Sequence, residues 1–195
     1  MKTTQLLNLI ADSRQDAFSR FYDLYYEQVF RFAFYFLKEK EACREVVTNV
    51  FFSVWQSRKK LKDITNIETY LYVATRNESR RFQAQQRDAD TVVSLDEIPL
   101  HIEALQEASA EEQLITAEME TLLTHVINQL PEKCRIIFLM SREEGLKPRQ
   151  IAEILSIRES TVRVQMKIAV EKIIATLKPH FPDLLFSCLL SLILS

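Results

Sequence analysis

A single glycine, Gly145, serves the whole of this 195-residue chain, and that scarcity constrains the fold more than any other feature. The two-residue loops that join antiparallel strands need positive φ angles and draw on glycine to reach them. With one glycine and five prolines, a many-stranded protein would lack turn residues. Apolar residues instead recur at helical spacing along most of the chain, so the expected fold is all-α. The same scarcity excludes a glycine-rich phosphate-binding loop.

Gly145 lies inside the most strongly patterned stretch, Leu130 to Leu177. Leu130-Pro131 opens a helix, because a proline in the first turn has no helical partner to lose. Ile136, Ile137, Phe138, Leu139 and Met140 form its apolar side, and Gly145 ends it by taking the left-handed conformation cheaply. Pro148 opens a second helix, with Ile151, Ala152, Ile154 and Leu155 facing inward. Ser156-Ile157-Arg158 leaves room only for a turn, with Ile157 expected to plug the helix pair. A third helix starts at Glu159 or Ser160. Val162, Met166, Ala169, Val170, Ile173 and Leu177 fall on one stripe of it, and Ser160, Arg163, Val164, Lys167 and Glu171 on the other.

A short helix, a tight turn and a two-faced helix are the pattern of a helix-turn-helix DNA reader. The base-reading face is then Ser160, Thr161, Arg163, Val164 and Lys167, with Arg149 on the helix before it. Arginine can fork onto guanine, hydroxyls can bond phosphate or base edges, and valine can touch a thymine methyl. Taken alone, Arg163 and Lys167 read more simply as a solvated face. The glycine-ended helix, short helix and turn upstream shift the balance towards DNA.

Charge divides the chain further. Residues 1–87 carry 15 basic and 10 acidic side chains, residues 88–129 carry 10 acidic and no basic ones, and residues 130–195 carry 10 basic and 7 acidic. Two basic ends around an acidic middle suggest two domains that face nucleic acid: 1–87 and 111–178, an acidic linker at 88–110, and an apolar tail at 179–195. The three cysteines, Cys43, Cys134 and Cys188, have no metal or disulfide spacing and read as buried thiols in a reducing cytoplasm. His101, His125 and His180 have no ligand or triad partners at useful spacing, so no enzyme, metal or cofactor is expected. The tail is expected to add an apolar C-terminal helix that packs on the second domain or the first, with a docking site for a partner protein or a weak membrane contact as alternatives. It holds about a dozen apolar residues, whereas a membrane-spanning helix needs about 20.

In the first domain the pattern predicts helices over Thr4–Ala11, Arg14 to about Lys38, Glu41–Leu61, and from an Asn66 cap to about Phe82. Asp12 or Ser13 is the expected cap of the second. The basic run Arg58-Lys59-Lys60-Leu61-Lys62 fits charge at a helix C-terminus. On the fourth helix aromatics interleave with arginines, as they do where unpaired bases are stacked and a strand backbone is held. Leu71 and Ala74 read as core, while Tyr72 is open to either role.

Six runs together resemble a known family. Phe21-Tyr22-Asp23-Leu24-Tyr25-Tyr26, Val50-Phe51-Phe52-Ser53-Val54-Trp55 and Glu68-Thr69-Tyr70-Leu71-Tyr72-Val73-Ala74-Thr75-Arg76-Asn77 are similar to the first domain of the extracytoplasmic-function sigma factors. Leu130-Pro131-Glu132-Lys133-Cys134-Arg135, Ser141-Arg142-Glu143-Glu144-Gly145 and Ile151-Ala152-Glu153-Ile154-Leu155 are similar to their second. The apolar tail resembles those of the Bacteroides-type group. The resemblance implies a cytoplasmic, dissociable subunit of core RNA polymerase that recognises promoter DNA and is restrained by an anti-sigma factor. Glu45, Asn49, Phe52 and Trp55 would then meet polymerase. Tyr72, Arg76, Asn77, Arg80 and Arg81 would meet the melted non-template strand, and the acidic linker would thread the polymerase channel. Two departures stand out. Thr48-Asn49 occupy places where the family usually carries a glutamine and an acidic residue, and Ile168 replaces a common basic residue. The competing function is a stand-alone helix-turn-helix regulator.

Overall fold

The computed structural model describes residues 3–87 and 121–180. Every regular element among them is helical, and they fall into two compact units. The linker at 88–110, the start of the helix expected from Glu111, the tail beyond His180, His101 and Cys188 lie outside the described residues.

Unit 1 contains α1 (Thr3–Ala11), α2 (Gln15–Leu37), α3 (Lys40–Gln56), a 3-10 turn (Arg58–Asp63) and α4 (Ile67–Arg87). α2 packs on α1, α3 and α4, and α1 rests on the 3-10 turn. The core is aromatic: Phe21, Phe32 and Tyr35 are fully buried with Ile10, Leu61 and Leu71. Phe32 meets Tyr72 edge-on at 4.7 Å, the geometry that ring quadrupoles favour.

Two local expectations change here. Neither Asp12 nor Ser13 caps α2. Ser13 is left-handed, with φ 64°, and Arg14 precedes the helix without a side-chain cap bond. The third helix stops at Gln56, not Leu61, and after Ser57, whose hydroxyl donates to the Ser53 carbonyl at 2.8 Å, the chain tightens into a 3-10 turn. That turn drives Leu61 into the core and sets Arg58 over the Trp55 ring, 4.7 Å from its centre. The Asn66 cap is present, its Oδ1 accepting from the Thr69 N–H at 3.0 Å.

Unit 2 contains α5 (121–129 among the described residues), α6 (Glu132–Arg142), α7 (Pro148–Leu155) and α8 (Glu159–Leu177). α6 and α7 both pack on α8. Arg135 is 8% exposed, and its Nη1 donates to the carbonyls of Leu130 (3.2 Å) and Asn128 (3.5 Å) at the end of α5. The Cys134 thiol donates to Gln165 Oε1 at 2.9 Å and ties α6 to α8.

α6 ends at Arg142, and Gly145 then turns the chain with φ 61°. Pro148 begins α7, and the Lys147 N–H donates to Gln150 Oε1 at 3.0 Å. Ser156 takes the left-handed position after α7 that glycine usually fills, as Ser13 and Lys38 do in unit 1. A chain with one glycine meets its other left-handed positions with residues that cost about 1–2 kcal/mol there. Ile157 does not plug the helix pair. It is 38% exposed, because the turn swings it outward while its N–H bonds the Ala152 carbonyl at 3.0 Å.

Candidate nucleic-acid interface

α8 presents two different sides. Val162, Ala169, Ile173 and Leu177 are buried against α6 and α7. Ser160, Thr161, Arg163, Val164 and Lys167 are all exposed, and Val164 leaves 55% of its surface in solvent. Positions 160, 163, 164 and 167 share one face at helical spacing. Arg149 is exposed at the start of α7. The charged groups of this face are held only by their own helix. Arg163 bonds Glu159 at 2.6 Å, and Lys167 approaches Glu171 at 3.7 Å, both at i→i+4 spacing between largely exposed side chains. Such pairs are weak, so they orient the cations without locking them.

Ile157 and Arg158, both exposed in the turn, flank this face and were not singled out as contacts from sequence. The signal for Arg158 was its place immediately before α8, where a side chain projects beside the first helical N–H groups.

The second candidate group, on α4, separates into two. Asn77, Arg80 and Arg81 are exposed and lie on one side of the helix. Tyr72 is 3% exposed, packed on Phe32, with its hydroxyl accepting from Gln28 Nε2 at 2.6 Å. Arg76 is 8% exposed, and its Nη2 donates to Asn77 Oδ1 at 2.7 Å. Burial first, and the Arg80 charge second, lower its pKa from the ordinary arginine value. In this structure Tyr72 and Arg76 are core residues: α4 turns toward α2 the side that carries them.

On α3, Glu45 and Phe52 are exposed and Asn49 and Trp55 half-buried. Asn49 donates to Glu78 Oε1 at 2.9 Å, and the same oxygen holds Arg81 at 2.5 Å, so Asn49 links α3 to the basic end of α4. Phe52 is 59% exposed at the mouth of a cleft of about 450 Å³, with Phe18, Tyr22, Phe51 and Trp55 in its walls. An aromatic cleft with an exposed phenylalanine at its mouth suits a protein partner, since such rings add buried area at an interface.

Among the described residues no cluster of histidine, cysteine or carboxylate side chains could hold a metal ion, and no helix is long and apolar enough to cross a membrane. Cys43 and Cys134 are buried, and burial pushes the Cys43 thiol up to about 12.

Comparison with known proteins places both units. Residues 21–88 match the family model described as sigma-70 region 2, and residues 120–173 match that of sigma-70 region 4. The probable RNA polymerase sigma factor RfaY of Xanthomonas campestris pv. campestris is 23% identical over 155 residues, which is 80% of this chain. The chain spans 39% of that relative's length. Two solved structures share the fold at 17% identity. One is CnrH in complex with the cytosolic domain of CnrY, with a TM-score of 0.57 over 90% of this chain and 97% of that one. The other is the sigma factor RpoE in complex with the anti-sigma factor NepR from Bartonella quintana, with a TM-score of 0.60 over 83% and 96%. With two regions of one family matched in order over well over half its residues, the chain belongs to the sigma-70 family of RNA polymerase sigma factors.

Proposed function

We propose that the protein is a sigma factor of the extracytoplasmic-function, Bacteroides-type kind, which directs core RNA polymerase to specific promoters and assists initiation in the cytoplasm. The observation that carries this reading is the order of the two matched regions, each on its own helical unit, together with the exposed face of α8. Residues 1–87 act as the polymerase-binding and melting domain, 88–110 as an acidic linker, and 111–178 as the upstream-element reader. The helix pair α7–α8 works as a helix-turn-helix. Ser160, Thr161, Arg163, Val164 and Lys167 enter the major groove, and Arg149 holds the phosphate backbone.

Strand melting needs no chemistry, and the protein acts here as a regulator, not an enzyme. Capturing a displaced base offsets the few kcal/mol of unstacking, so binding alone favours the open strand. Asn77, Arg80 and Arg81 meet that strand from outside. Tyr72 and Arg76 hold α4 in place for them. Phe52, Trp55 and Glu45 form the polymerase-facing surface, and Asn49 couples that surface to α4 through Glu78. An anti-sigma factor is the expected restraint. RpoE, which shares the fold, is seen in complex with one.

The test is run-off transcription. Core polymerase supplemented with the protein is expected to initiate at promoters it ignores alone. Tight binding to duplex DNA by the protein alone, with no association with core polymerase, would instead identify a stand-alone regulator.

A further inference from the structure

Arg76 is buried in unit 1, yet the direction of its guanidinium decides what its exposed neighbour Asn77 can bind. Arg76 Nε donates to Asn77 Oδ1 at 3.1 Å, and Arg76 Nη2 donates to the same oxygen at 2.7 Å. An amide nitrogen cannot accept such bonds, so the Asn77 amide is fixed with its oxygen toward Arg76. A carbonyl oxygen has two acceptor lone pairs, and these two bonds use both. What remains of Asn77 for a ligand is its NH2 group, a donor with no acceptor beside it.

That orientation narrows the ligand. Asparagine reads adenine by matching one donor and one acceptor to the base edge, and Asn77 has no acceptor left for that. Its surroundings on α4 are cationic. Arg80 and Arg81 follow three and four residues on, on the same side of the helix, and both are exposed. Arg81 is steadied in turn from α3. Glu78 Oε1 accepts from Arg81 Nη2 at 2.5 Å and from Asn49 Nδ2 at 2.9 Å. That bond engages one N–H of a guanidinium that carries five, so Arg81 keeps donors for a ligand. Asn77, Arg80 and Arg81 thus form a positively charged strip that offers donors only. A phosphodiester, an anion whose oxygens only accept, is its chemical complement.

We propose that Arg76 is a positioning residue that turns Asn77 into a donor for a backbone phosphate of the melted strand, so that Asn77 holds the strand without reading its bases. The proposal rests on α4 facing that strand. It gives a role to a buried guanidinium whose desolvation an apolar residue at the same place would avoid.

The test uses core polymerase carrying the protein and a fluorescent single-stranded oligonucleotide with the non-template sequence of the run-off promoter. Each phosphate in turn is replaced by an uncharged methylphosphonate. One linkage should weaken binding of the parent by about fivefold. Asn77→Ala should weaken binding of the unmodified strand by a similar factor and be indifferent to that linkage. Arg76→Lys keeps a cation but loses the two-point hold, so it should lose dependence on the same linkage; a merely structural role would leave that dependence in place. If Arg76→Lys unfolds, Asn77→Asp decides the matter. Aspartate keeps a partner for Arg76 but replaces the donor with a negative charge, so it should bind the strand more weakly than Asn77→Ala. Strand binding by Asn77→Asp equal to the parent would overturn the proposal, as would a base preference that relaxes in Asn77→Ala. Arg80→Ala and Arg81→Ala separate this inference from the reading beneath it. If either weakens the oligonucleotide while Asn77→Ala does not, the inference alone fails. If none of the three does, α4 does not face the strand and both fall.

Discussion

Replacing Arg163 with alanine separates reading DNA from holding the fold. Its guanidinium meets Glu159 at 2.6 Å, but the two side chains are 67% and 41% exposed. An i→i+4 pair so placed is worth roughly 0.3–0.5 kcal/mol. Alanine is the better helix former, so the loss is partly offset. The variant should therefore unfold within about 0.5 kcal/mol of the parent. A forked contact to guanine is worth about 1–3 kcal/mol, so promoter-directed transcription should fall by roughly 5- to 150-fold. The assay pairs urea unfolding with run-off transcription under saturating core polymerase, and adds Arg163→Lys. Lysine keeps a phosphate contact but loses the fork, so it should restore little if the residue reads a base. Full transcription in the alanine variant, or reduced polymerase binding, would refute the placement of Arg163 in the groove.

Three further outcomes are expected. Arg135→Met removes the buried donor to the Leu130 and Asn128 carbonyls and should cost about 2–4 kcal/mol in urea unfolding, although Arg135 touches neither partner in the proposed function. Tyr72→Phe deletes the 2.6 Å bond from Gln28 and should cost about 1 kcal/mol while leaving promoter opening unchanged by permanganate footprinting; a melting defect at full stability would return Tyr72 to the strand. The Cys43 thiol, raised from 9.0 to about 12 by burial, should resist iodoacetamide at pH 8 until the chain unfolds. Because the folded state holds that proton more tightly, its stabilising contribution is full below pH 9 and is lost as pH rises towards 12, which alkaline urea titrations would show.

The sequence by itself determined the fold class, the helices of both units to within a few residues at most ends, and the two sides of α8. These are local matters. Helical spacing states which residues share a side, and Gly145, Pro148 and Asn66 mark ends because their backbone and capping preferences act over three or four residues. The turn after Ser57 shows the limit of that reading: the chain tightens into a 3-10 turn where periodicity alone would have continued the helix to Leu61.

Only the tertiary structure decided which apolar or cationic sides found partners. Tyr72 and Arg76 look like strand-binding residues in a row of aromatics and arginines. They are core because α2 lies across that side of α4, with Gln28 bonding Tyr72 from 44 residues away. Asn49 and Glu78 meet across 29 residues, and no pattern along one helix could pair them. Ile157 looked like core and stays outside, whereas Arg135, to which helical spacing gave no role, is buried and bonds the Leu130 carbonyl at the end of α5. Spacing along a helix fixes direction around its axis, but burial depends on what the rest of the chain brings to that side.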